Sequence, residues 1–188
     1  MTAENNIQKT TWAGVLLTFI PAVLGIAAAA ALLSSEPEKL VSALTGHADG
    51  YTSVFASEYT VGTAFSRAVL ISRADIAMCF IAMMFPYTVV CRPISALLSF
   101  LRTCAVTLAV TAVLTRAVSL SSALASISLI IGAVSLFFVL MRADSVYQSG
   151  QQHPNFRDTA GSVLLSAACS GAVITTRTVL LLLSGALL

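Results

Sequence analysis

Residues 76–90 read IAMCFIAMMFPYTVV and residues 96–114 read ALLSFLRTCAVTLAVTAVL, with only Cys91, Arg92, Pro93, Ile94 and Ser95 between them. Each run reaches, or nearly reaches, the roughly 20 apolar residues that carry a helix across a bilayer core. The arginine and proline between them mark a turn. Two such runs back to back predict a tight membrane hairpin, with spans over residues 75–91 and 94–115. A soluble fold has no use for the pair. Of the 188 residues 57% are hydrophobic and 10% charged, against roughly 25% charged in an ordinary soluble domain. A mean hydropathy of +0.92 is more apolar surface than one water-facing globule of this size can bury, so lipid is the expected solvent.

The remaining chain supplies further spans. Trp12 to Leu33 gives about 33 Å of helix at 1.5 Å per residue, with Trp12 at the interface and Pro21 bending it. Gly14, Gly25 and the alanines offer a small-residue face for a neighbouring helix. The Ala27–Ala31 run would suit signal cleavage, but the segment before it lacks net positive charge and the apolar part is long, so an uncleaved span is expected. Residues 123–141 and 161–187 complete five spans. Arg177 interrupts the last of these, which either crosses once with the arginine snorkelling near an end or is broken in two. Arg102 lies about two turns into the second hairpin arm, where snorkelling to the near interface is expected.

The polar part is concentrated in residues 34–74. Ser35, Pro37 and Glu38 suit a helix start, and Gly46 to Gly50 a break. Beyond it Tyr51, Phe55, Gly62, Phe65 and Val69 recur at helical spacing, with Tyr59 beside them, predicting an external amphipathic helix with an aromatic stripe. Tyr51, Phe55, Tyr59 and Phe65 are candidate partner contacts, packing against the bundle being the structural alternative. The stretch 142–159 carries turn residues throughout, and His153 in it reads as a solvated loop residue. With five spans and a cytoplasmic N-terminus, Lys9, Arg92, Arg102, Arg142 and Arg157 fall inside and Lys39, Arg67, Arg73 and Arg116 outside, the orientation that places more basic residues in the cytoplasm. The expected architecture is thus all-α: a single polytopic helix bundle in the cell membrane.

Catalytic chemistry is not apparent. The eight acids fall almost wholly in the predicted loops, there are two histidines, and no zinc-protease, serine-elbow or phosphate-loop motif occurs. No enzyme activity, cofactor or metal site is expected. The net charge of +2 forms no basic stripe for nucleic acid. Cys79, Cys91, Cys104 and Cys169 lack CxxC spacing and read as small packing residues. No acid is expected at a span centre, which argues against a pump or ion-coupled carrier.

The order of parts, together with Cys91-Arg92-Pro93 and Phe100-Leu101-Arg102-Thr103, resembles stage II sporulation protein M and its relatives, in which a proline-tipped hairpin follows one span and an external helical region. That family carries glycines where Cys91 and Thr103 stand here. The resemblance implies a non-enzymatic membrane scaffold that holds cell-wall-degrading partners at the membrane during sporulation. Pro93 and Arg102 would then shape the hairpin and the aromatic helix would meet partners, with homo-oligomerisation left open. The alternative is a small-solute membrane transporter, or the substrate-binding subunit of one, with Arg102, Arg177 or Tyr87 contacting an anionic or aromatic ligand between helices.

Overall fold

The computed structural model describes residues 2–35, 37–86, 88, 90–116, 119–150 and 156–187. They form six helices: α1 (Thr2–Ser35), α2 (Pro37–Val54), α3 (Val61–Met84), α4 (Cys91–Arg116), α5 (Leu120–Gly150) and α6 (Phe156–Ala186). No strand occurs among the described residues. Four helices hold segments long and apolar enough to cross a membrane: Val15–Ser35, Cys91–Thr115, Leu120–Gln148 and Ala160–Ala186. Their outer faces leave Phe19, Leu24, Ile130, Phe138 and Leu164 about half exposed or more, a surface that acyl chains can cover and water cannot favourably wet. This all-α bundle fits a multi-pass membrane protein.

Local chemistry sets the helix starts. The Ser119 N–H donates to Ser122 Oγ at 2.9 Å and the Ser122 N–H donates back to Ser119 Oγ at 3.2 Å, a reciprocal cap that satisfies two otherwise orphaned donors before α5. Ahead of α3 the Thr60 N–H donates to Thr63 Oγ1 at 3.0 Å. The hairpin connection is closed by the Thr88 N–H to the Phe85 carbonyl and the Cys91 N–H to the Thr88 carbonyl, both 3.0 Å. Pro93 therefore lies in the first turn of α4, where its missing N–H costs nothing.

Several expected boundaries move. The first hairpin arm runs from Val61 to Met84 instead of 75–91, and α4 already begins at Cys91, so that Arg92 and Pro93 belong to a helix rather than to the turn. Tyr51 and Phe65 do not share a helix, because a turn from Phe55 to Thr60 divides α2 from α3. The region expected to be external correspondingly shortens at its C-terminal end, α3 beginning at Val61. Where a loop was expected from Arg142, α5 continues to Gly150, since Asp144 finds an internal partner described below. α6 is one unbroken helix despite Arg177. Tyr87 and His153 lie outside the described residues, as does the side chain of Trp12.

Two apolar cores lie at opposite ends of the bundle. One gathers Phe55, Ala64, Ala68, Ala112, Val113, Leu124, Ala125 and Leu181, and the other Cys79, Ala82, Leu136, Val139 and Leu140, with Leu98 and Cys169 packed on it. Chain order through the two cores makes α3 and α5 antiparallel to α4 and α6. α1 lies along α4. A Cβ at Gly25 would collide with the Phe100 carbonyl and Thr103 Oγ1, so the expected small-residue contact is real at this position, and Ser99 Oγ donates to the Thr18 carbonyl beside it at 2.8 Å.

Candidate functional site

Between the two cores lies a layer that is not apolar. The buried face of α3 is Ala64, Ala68, Ser72, Asp75, Cys79 and Ala82, a stripe of small residues at helical spacing with one carboxylate in it. Small side chains let α6 and α5 approach closely, and their approach seals Asp75, which is 3% exposed. A lone charge at this depth would be costly. Arg177 of α6 meets it, with Nη2 at 2.7 Å from Asp75 Oδ2. Arg102 of α4 closes on the other oxygen, Oδ1, as a charge contact without hydrogen-bond alignment. Both arginines thus turn inward, and neither snorkels to an interface. The expectation that no buried acid stands at mid-depth is overturned by Asp75.

Arg177 is almost fully satisfied. Its Nε donates to Ser128 Oγ at 3.0 Å, Nη1 to Ser72 Oγ at 2.9 Å and Nη2 to the Ser128 carbonyl at 3.1 Å, and the residue is 1% exposed. Gly132, one turn beyond Ser128, gives the cluster its room. A Cβ there would stand 2.6 Å from Asp75 Oδ2 and 2.9 Å from Arg177 Nη2. Five side chains and one missing side chain on four helices therefore make a single buried unit. Its formal charge is +1, because guanidinium does not lose its proton in proteins and two arginines face one aspartate.

Two cavities adjoin this unit. The smaller, about 20 Å³, lies between α4 and α5 against Ser99, Arg102, Thr103, Ala133 and Phe137. Arg102 keeps 13% of its side-chain surface open, and its buried Nε has no hydrogen-bond partner. The larger, about 200 Å³, lies between α2, α4 and α5, walled by Leu44, Ala48, Tyr51, Ala112 and Leu129 with His47 beside them. The Tyr51 hydroxyl is 2.9 Å from Ser128 Oγ, which links this pocket to Arg177. Burial pushes the Tyr51 hydroxyl above its ordinary pKa, against the opposing pull of Arg177, so it stays protonated and able to donate.

A second ion pair fastens the other end. Arg92 Nε donates to Asp144 Oδ1 at 3.0 Å, Gln148 Nε2 donates to Oδ2, and the Arg92 guanidinium stacks 5.2 Å from the centre of the Tyr147 ring. Asp144 is buried while Arg92 remains 42% exposed, as suits a clamp between the start of α4 and the end of α5.

The four candidate aromatics separate. Tyr51 and Phe55 pack tilted at 5.7 Å between ring centres, and Phe55 is sealed in the first core, which turns it away from any external partner. Tyr59 is half-buried against the same core. Phe65 alone of the four lies open, at 54%. Pro93 is exposed at the start of α4, whereas Arg102 and Arg177 are brought together on Asp75. Sequence reasoning missed Asp75, Ser72, Ser128 and Gly132. The available signal was a charged residue inside a small-residue stripe, with two further arginines inside apolar helices to answer it. Comparison of the chain with family models, with curated proteins and with solved structures gave no match.

Proposed function

We propose that this is a cell-membrane protein of five crossings that binds a small, weakly polar solute between its helices, as a carrier or as the solute-binding subunit of one. In this arrangement α3 is the fifth crossing: its 24 residues give about 36 Å of helix, and its one buried charge is neutralised within the bundle. The N-terminus is cytoplasmic, and α2 lies at the outer end with the first core. The observation that supports the function is the hydrogen-bonded connection from pocket to cluster, Tyr51 to Ser128 to Arg177 to Asp75. A molecule seated on Tyr51 acts on the unit that ties α3, α4, α5 and α6 together. A pocket of about 200 Å³ suits one ring-sized molecule, since a cavity of about 150 Å³ holds benzene.

Thermal unfolding of the purified protein against a panel of small ring compounds, vitamins included, tests this. A compound that raises the midpoint in the wild type and has no effect on Ala112→Phe, which fills the pocket, supports it. A panel without effect on the wild type, or one acting equally on both, refutes it. The scaffold function implied by the resemblance to stage II sporulation protein M is the second reading. It is favoured by the outward Glu38, Lys39, Ser42 and Asp49 of α2, a polar face available to water-soluble proteins. Co-purification of cell-wall hydrolases that is lost when these four are replaced by alanine would select it instead.

A further inference from the structure

The charge count at mid-depth leaves one guanidinium without a counter-charge. Asp75 answers Arg177 through an aligned contact at 2.7 Å, and Arg177 is otherwise closed off by Ser72 and Ser128. Arg102 holds only the far side of the same carboxylate, its Nε unpartnered, and among the described residues no acid lines the cavity beside it. The neighbouring hydroxyls are already committed as donors, Ser99 to the Thr18 carbonyl and Thr103 to the Ser99 carbonyl. An excess positive charge among Leu136, Phe137 and Leu140 is costly, and it adjoins a cavity of about 20 Å³, roughly the space that one water-sized particle needs. We infer that this cavity holds a small monovalent inorganic anion, chloride being the common one, as the missing counter-charge to Arg102. The ion lies against the open part of the Arg102 side chain and beside Phe137. Because the walls are apolar and few donors replace its hydration shell, the site favours weakly hydrated chloride and bromide over fluoride. The site is separate from the Tyr51 pocket and does not depend on it.

The test is thermal unfolding of the full chain in nonionic detergent at constant ionic strength, with sodium gluconate replaced stepwise by sodium chloride, bromide or fluoride. Chloride and bromide raise the midpoint saturably, by about 3–6 °C at ten times the dissociation constant, and fluoride and gluconate do not. Arg102→Gln, which leaves Asp75 and Arg177 as a balanced pair, abolishes the response. Ala133→Leu fills the cavity while keeping every charge, and it abolishes the response too while lowering the midpoint. Should Arg102→Gln fail to fold, Ala133→Leu decides alone. The line width of ³⁵Cl resonances gives an independent readout: the wild type broadens them and the variants do not. Equal midpoints in gluconate and chloride, an equal response to fluoride, or a chloride response retained in Ala133→Leu overturns the assignment.

Discussion

Removing the single carboxylate of the central cluster should cost far more than removing Arg102, the less satisfied of its two partners. In Asp75→Asn the two guanidiniums stay where they are and the buried charge rises from +1 to +2. Arg177 keeps Ser72 and Ser128, but Arg102 loses its contact with that carboxylate. Breaking a buried pair by removing one member costs about 3–5 kcal/mol, which is about two to four powers of ten in the folding equilibrium. Arg102→Met runs the other way. It lowers the charge from +1 to zero, leaves the Asp75–Arg177 contact intact, and replaces a desolvated cation by an apolar chain of similar length, so stability should change by no more than about 1 kcal/mol. The double variant returns the charge to +1 and should recover about 1–3 kcal/mol relative to the sum of the two single effects. Unfolding in mixed micelles with increasing sodium dodecyl sulfate, followed by helical circular dichroism, measures all three. An Asp75→Asn protein as stable as the wild type, beside a strongly destabilised Arg102→Met protein, would show that counting charges is the wrong account of this layer.

Three further outcomes follow from the geometry. Gly132→Ala pushes a methyl between Asp75 and Arg177 and should cost about 1–3 kcal/mol in the same unfolding assay, whereas Gly171→Ala, with nothing near the added atom, should leave stability unchanged or improved. Gly25→Val drives a side chain into the backbone of α4 and should separate α1 from α4, read as loss of a Phe19–Leu101 distance constraint by spin labelling after each is changed to cysteine. In a background without the four native cysteines, Glu38→Cys should react with an impermeant thiol reagent in intact cells and Thr88→Cys only after permeabilisation. Equal reactivity of the two would contradict the five-crossing arrangement.

The helical class, the apolar composition and the four segments long and apolar enough to cross a membrane are legible in the sequence, because long apolar runs have few other solutions. What could not be read was the destination of the charges. Arg67, Arg73 and Asp75 together make the first half of α3 look like a water-facing approach to the hairpin. Only the outward positions of Arg67 and Arg73 fit that appearance, while Asp75 falls on the small-residue stripe and turns in. Arg102 and Arg177 read as snorkelling when each helix is considered alone, since the partner they share is on a third helix 27 and 102 residues earlier in the chain. The aromatic periodicity from Tyr51 to Val69 was likewise a coincidence of spacing across a turn. Its strongest member, Phe55, closes a core instead of presenting a surface.

The order in which the charged residues leave the ribosome has a bearing on how the protein enters the bilayer. Asp75 emerges first, Arg102 next and Arg177 last, so that the helix least able to insert by its own hydrophobicity can be joined by an opposite charge only a hairpin away. In the proposed five-crossing arrangement α3 and α4 can then pass into the membrane with Asp75 and Arg102 already paired. The final helix instead arrives bearing a naked cation, and its retention depends on a berth that the earlier helices have already assembled.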